Sequence, residues 1–169
     1  MKYAKIRKMD ISNGEGVRVS LFVQGCEFHC KNCFNAETWN FQGGKDFTTD
    51  TLNTLLNLCD KEYIKGLSIL GGEPMHPTNR EMVVDIMRAF KFRFPNKDIW
   101  MWTGYTLENL LQQKDENIKS MLIYLDYLID GQFEEDKKDI TLKWRGSSNQ
   151  RVIDIQKSLK ENKIIEIKE

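Results

Sequence analysis

The 169 residues fall within the range of about 100–200 that one hydrophobic core commonly organises, which predicts a single domain over residues 1–169. Hydrophobic residues make up 40% and charged residues 30%, a globular rather than a disordered balance. Lys plus Arg (25) cancels Asp plus Glu (25), which excludes the broad positive field of a nucleic-acid binder. No apolar run approaches the roughly 20 residues of a membrane-spanning helix. Residues 1–10 hold no apolar stretch of the signal-peptide kind, so the expected location is the cytoplasm.

Residues 17–24 are β-branched and mostly apolar, which predicts a strand running into Gly25-Cys26. After a cysteine-rich loop, residues 48–65 read as an amphipathic helix, capped by Thr48 or Thr49 and ended by Gly66. Residues 67–70 form a short second strand, closed by Gly71-Gly72-Glu73-Pro74. Thr78 and Glu81 are spaced as a capping box for a second helix, whose apolar stripe is Val83, Ile86, Met87, Phe90 and Phe94 and whose stop is Pro95. Residues 98–102 are a third strand leading into Thr103-Gly104-Tyr105, and a shorter helix starts at Thr106 with Leu107, Leu110 and Leu111 on one side. Residues 127–129 make a fourth strand, closed by Asp130-Gly131. Residues 134–139 read as a solvated charged loop, and 140–145, 151–155 and 164–167 as further candidate strands.

Strands alternating with helices are the pattern of right-handed βαβ crossovers and a parallel sheet. The unusual residues sit just after the strands: cysteines after the first, a double glycine after the second, Thr103-Gly104 after the third, Asp130-Gly131 after the fourth. In parallel α/β folds ligands bind along that edge, so four motifs predict one site.

Three of the four cysteines, Cys26, Cys30 and Cys33, fall within eight residues, and in a reducing compartment such a cluster points to metal or chemistry. The spacing Cys-x3-Cys-x2-Cys suits a [4Fe–4S] cluster held by three thiolates. The fourth iron then has no cysteine, because Cys59 shares a helical face with Leu52, Leu55, Leu56 and Tyr63 and reads as a buried small hydrophobe. An iron without a protein ligand is open to a small chelating molecule. The alternative from another class is a zinc-stabilised binding module. It would need His29, directly beside Cys30, or the distant His76 as fourth ligand.

Cys26-x3-Cys30-x2-Cys33 resembles the cluster motif of the radical S-adenosylmethionine superfamily, and Gly71-Gly72-Glu73-Pro74 resembles its methionine-binding turn. Trp102-Thr103-Gly104-Tyr105, Asp130-Gly131-Gln132-Phe133 and the run from Arg145 to Arg151 narrow the resemblance to the activases of anaerobic ribonucleoside-triphosphate reductase. One departure stands at Asn32, where the superfamily often has an aromatic residue; here the aromatic, Phe34, follows Cys33.

The resemblance implies two cofactors, a [4Fe–4S] cluster with one open iron and S-adenosylmethionine chelated to it. It implies reductive cleavage to a 5′-deoxyadenosyl radical, abstraction of hydrogen from a glycine in the partner reductase, and a flavodoxin-like electron donor. Cys26, Cys30 and Cys33 would hold the cluster. Gly71, Gly72 and Glu73 would meet the methionine ammonium, the glycines through carbonyls that no Cβ obstructs. Asn32, Phe34 and Thr103 would hold the adenosyl group, with Asp130 in support, though turn or capping roles explain Thr103 and Asp130 about equally well. Ser147, Asn149, Gln150 and Arg151 would meet cofactor or partner, or form an exposed turn. Trp39, Phe41, Trp100 and Trp102 read as packing residues. The fold expected is α/β, an incomplete, open (βα) barrel of five to six mainly parallel strands, because a full barrel takes about 250 residues. The rival functions are activation of another glycyl-radical enzyme such as pyruvate formate-lyase, and modification of a small molecule.

Overall fold

The structure, a computed structural model, describes residues 1–168, so residue 169 of the predicted domain lies outside it. The chain opens with β1 (Lys2–Asp10) and β2 (Arg18–Val23), followed after the cysteine loop by the short β3 (Lys45–Asp46) and α1 (Thr49–Cys59). Then come β4 (Gly66–Gly71), α2 (Pro77–Arg93), β5 (Asp98–Trp102), α3 (Leu107–Gln112), α4 (Glu116–Tyr124) and β6 (Tyr127–Asp130). It ends with β7 (Arg151–Asp154) and α5 (Ile155–Glu161).

The strands form one seven-stranded sheet in the order β3-β1-β2-β4-β5-β6-β7. The four central strands β2, β4, β5 and β6 run parallel, joined by helical crossovers, while β1, β3 and β7 pair antiparallel at the flanks. The α/β class is as expected. The expectation of five to six mainly parallel strands is corrected to seven, with half of the strand interfaces antiparallel and the sheet not closed.

The pleat sorts the side chains. Leu21, Ile69, Met101 and Leu128 are paired across the parallel strands and face the helices, meeting Leu55, Val83, Met87, Phe90, Leu110 and Met121 in one core. The alternate row, Ser20, Ser68, Trp100 and Tyr127, faces away from the helices. There Trp100, Ile129 and Val152 pack with Trp102, Tyr127 and Trp144 as a second apolar cluster.

Several boundaries move. The first helix ends at Cys59 instead of residue 65, and Gly66 opens β4 instead of capping a helix. A Cβ on Gly66 would lie 2.2 Å from the Asp98 carbonyl oxygen, so the close approach of β5 demands the glycine. The Thr78–Glu81 capping box is not used. His76 caps α2, accepting from Thr78 N–H at Nδ1 (3.1 Å), and Pro77 takes the first helical position. Leu111, placed on the apolar side of α3, is 53% exposed. Residues 140–145 do not pair as a strand, 164–167 contribute only a bridge from Glu166 to Ile153, and Ile155 begins α5. β1, β3, α4 and α5 were not expected.

Arg18 closes the end of the sheet opposite the cysteines. It is 0% exposed; its Nε donates to Ser68 Oγ (2.7 Å), Nη2 donates to Leu67 O (3.0 Å), and Nη2 sits 2.7 Å from Asp98 Oδ1. Ser68 Oγ in turn donates to Asn13 O, holding the β1–β2 loop over this end. Removing one partner of a buried ion pair leaves the other uncompensated. Arg18→Met is therefore expected to cost about 3 kcal/mol, read as a lower urea midpoint with an unchanged m-value; a midpoint within error of wild type would contradict this role.

Candidate functional site

The C-terminal ends of the four parallel strands converge on one cavity of about 520 Å³. Cys26, Cys30 and Cys33 line it from beyond β2, Gly71, Gly72 and Glu73 from beyond β4, Thr103 and Gly104 from beyond β5, and Gly131 and Gln132 from beyond β6. Residues from all four strand-end motifs border this one cavity. The cavity continues along the helix-free face of the sheet past Phe22, Leu70 and Trp102 to Asn13.

The cysteine loop is tied to the sheet at its root. Gly25 N–H donates to Thr38 O (2.6 Å) and Cys26 N–H to Trp39 O (3.1 Å), while Glu73 N–H donates to Gly25 O (2.7 Å). Gly25 has φ +103°, and a Cβ there would fall 2.2 Å from the Phe41 ring. His29 and Asn32 take left-handed conformations (φ +48° and +56°) that let the loop turn tightly enough to bring all three thiols inward.

Burial pushes the Cys26 thiol up to about 11, against backbone N–H groups of Phe28 and His29 that favour the thiolate. Burial and then the Cys33 charge raise Cys30. Among the described residues, no three His, Cys, Asp or Glu side chains gather closely enough to grip one metal ion. A zinc would need all its ligands within about 2.0–2.3 Å of one point. Three thiols lining one cavity are the donor type that a 4Fe-4S cluster takes. Cys59 is 0% exposed in the α1 face of the core, its thiol pushed up to about 12 by burial, and takes no part in this cavity.

Glu73 is the polar hub. It is 2% exposed. Oε1 accepts from Gly104 N–H (2.6 Å), and Oε2 accepts from Thr103 Oγ1 (2.7 Å) and Met75 N–H (2.8 Å). Burial outweighs these bonds and raises its carboxyl to about 7. Thr103 thus spends its hydroxyl proton on Glu73, though it remains on the cavity wall. The double glycine has a structural reason of its own. Gly71 sits at φ +111°, and a Cβ on Gly72 would lie 2.5 Å from Gly25 O. The turn beyond β4 touches the backbone that carries the cysteines, so the two strand ends are in direct contact.

The remaining expected residues divide. Phe34 lines the cavity, packed at 5.0 Å on Phe133. The Asn32 side chain is exposed and off the wall. Asp130 is not on the wall either; its carboxylate accepts from Leu107 N–H (2.8 Å) at the start of α3 and from Arg151 Nε (3.0 Å). Of residues 145–151, Arg145, Gly146 and Gln150 reach the cavity. Gln150 Oε1 accepts from Gly146 and Ser147 N–H, and its Nε2 donates to Gly131 O, which ties the segment to the end of β6. Trp39 and Trp102, read as packing residues, stand on the wall. Sequence reasoning missed Gln132, whose Oε1 accepts from Cys30 Sγ (3.8 Å), and Phe28, which fills the space above Gly104. The position of Gln132 directly after Asp130-Gly131 was the available signal.

The sequence pattern of the family described as a 4Fe-4S single cluster domain matches residues 12–153. The chain is 44% identical over 152 residues to the anaerobic ribonucleoside-triphosphate reductase-activating protein of Enterobacteria phage T4, covering 90% of this chain and 93% of that one. It is 41% identical over 152 residues to the protein of that name from Vibrio cholerae serotype O1 (89% and 96% covered). The figure for the one from Escherichia coli K12 is 39% over 156 residues (90% and 97% covered). Site and pattern together define a single-cluster 4Fe-4S domain. The chain belongs to the anaerobic ribonucleoside-triphosphate reductase-activating protein family.

Proposed function

We propose that this protein activates an anaerobic ribonucleoside-triphosphate reductase as a radical S-adenosylmethionine enzyme of the cytoplasm. The supporting observation is the meeting of three thiols and the Gly71–Gly72–Glu73 turn on one cavity, with the fourth cysteine sealed in the core. The cluster and S-adenosylmethionine, when bound, supply the one-electron cleavage that yields the radical which takes hydrogen from the partner's glycine, the electron coming from a flavodoxin-like donor.

The chain's own residues bind, orient and exclude water. Cys26, Cys30 and Cys33 would hold the 4Fe-4S cluster through their thiolates. The Gly71 and Gly72 carbonyls and the buried Glu73 carboxylate give the amino group of the methionine a set of acceptors. Glu73 also fixes Gly104 and Thr103, so the end of β5 is positioned by the residue that meets the cofactor. Phe34 offers the adenine an aromatic face, while Asn32 contributes backbone alone. Asp130 acts at one remove, aligning the end of β6 with the start of α3. The apolar wall of Phe22, Leu70 and Trp102 keeps the path beyond the cluster dry and leads to the open end of the cavity, where a glycine-bearing loop enters.

Anaerobically reconstituted protein is expected to be brown, to hold about four irons with matching sulfide, and to release methionine and 5′-deoxyadenosine when reduced. Colourless protein with one zinc would overturn this function in favour of a binding module. Cofactor cleavage accompanied by activation of a pyruvate formate-lyase-type partner alone would reassign the target.

A further inference from the structure

His76 lies outside the cavity, yet it touches the cysteine loop twice. Its Nε2 is 3.1 Å from Glu27 Oε1, inside the Cys26–Cys30 gap, and the His76 side chain is only 12% exposed. Its ring packs at 4.6 Å on Phe41, and Phe41 occupies the space that a side chain on Gly25 would need. Nδ1 is committed elsewhere, accepting from Thr78 N–H at the start of α2. That acceptor role places the ring proton on Nε2, where it faces Glu27. The residue also ends the Gly71–His76 turn, with its own N–H donating to Glu73 O (3.1 Å). The imidazole therefore joins the three-thiol loop to the N-terminus of a 17-residue helix, while the backbone N–H of the same residue ties in the glycine turn.

We propose that His76 is a positioning residue for the cluster, a strap that holds the first arm of the cysteine loop against α2 through Glu27 and Phe41. The inference rests on the cluster-binding part of the function proposed above. Because Glu27 is 75% exposed, the pair is modest in strength, and its effect is on how often the arm opens rather than on whether the protein folds.

Two variants separate the strap from the helix cap. Asn is a good N-cap, so His76→Asn keeps an acceptor for Thr78 N–H but is too short to reach Glu27. Glu27→Ala removes the other end without touching α2. Gly25 and Cys26 N–H, hydrogen-bonded to Thr38 and Trp39 carbonyls, report opening of the loop root by hydrogen exchange in the apoprotein. Each variant is expected to speed that exchange about two- to fivefold, and to speed iron release from the reconstituted protein to a ferrous chelator by a similar factor. The double variant should be no faster than the faster single one, with the thermal midpoint unchanged throughout. Wild-type exchange in both single variants, or effects that multiply in the double variant, would overturn the strap. Wild-type protein that takes up no iron would count against the cluster itself, while the apoprotein exchange still decides the role of His76.

Discussion

Alanine at Cys26, Cys30 or Cys33 is expected to leave anaerobically reconstituted protein with under about a tenth of wild-type cluster absorbance, and with no measurable cleavage of S-adenosylmethionine. Cys59→Ala is expected to retain both. The contrast follows from placement. The first three thiols share the strand-end cavity, whereas Cys59 is fully buried on the α1 face among Leu55, Leu56 and Phe90. On the proposed assignment, removing any of the three leaves the cluster with two thiolates. Removing the Cys59 sulfur leaves a small void worth about 1 kcal/mol, visible as a slightly lower midpoint and nothing more. The measurement is iron and sulfide per chain together with the absorption spectrum. Full iron in any of the three site variants, or loss of the cluster in Cys59→Ala, would contradict the ligand assignment.

The second large effect is expected at Glu73. Three donors converge on its carboxylate and none of the surrounding groups accepts from it. Glu73→Gln turns one acceptor oxygen into an NH₂ that must face Gly104 N–H or the Thr103–Met75 pair. A buried donor left unsatisfied costs about 1–3 kcal/mol, and the misaligned end of β5 should weaken S-adenosylmethionine binding about tenfold or more. Glu73 also sets a pH dependence. Its folded carboxyl titrates near 7, above the ordinary value of 4.5, because burial penalises the charge. The sign follows from linkage: a raised carboxyl favours the folded state while protonated, in full below the unfolded value, and that contribution is lost as pH rises through about 7. Wild-type apoprotein should therefore lose up to about 3 kcal/mol between pH 5 and pH 8, and Glu73→Gln, lower at the start, should lose much less, only the smaller contribution of Asp98, which burial also raises, remaining. Asp10 does not confound this window. Burial opposes its charge, but hydrogen bonds from Ser20, Asn13 and Ser12 prevail and hold it below the usual range, so its contribution is lost only in stronger acid. Denaturant midpoints across that interval decide the matter; a flat wild-type profile would contradict a buried, neutral-pH carboxyl.

What was legible in the sequence follows from burial. The four parallel strands are covered on the helix side and largely covered on the other, so β2, β4 and β5 read as near-continuous apolar runs with turn residues behind them. The strand-end motifs followed from those strands, and with them the cavity. β1 escaped because Lys2, Lys5, Arg7 and Lys8 interrupt its apolar residues. Lys5 and Arg7 lie over the Phe22 ring on the helix-free face, so a strand that pairs well looks solvated. Residues 140–145 failed in the opposite sense. Ile140, Leu142 and Trp144 alternate as a strand would, but they wall the cavity and pair with no neighbour strand. The α4 stripe of Ile118, Met121 and Leu122 was present in the sequence, yet only the short stretch from Gln113 to Asp115 separates it from α3, and only the helix opening at Thr106 was read. At the site, residue types were legible and their division of labour was not. Hydrogen bonds from Thr103 and Gly104 to Glu73 span some thirty positions, and no local pattern announces them.

The most direct test is electron paramagnetic resonance on an oxygen-free mixture of the reduced protein, S-adenosylmethionine and an anaerobic ribonucleoside-triphosphate reductase. A glycyl-radical doublet should grow on the reductase, depend on Cys26, Cys30 and Cys33, and vanish when the target glycine is replaced by alanine. A cluster-loaded protein that cleaves no S-adenosylmethionine and raises no doublet under these conditions would refute the proposed activity.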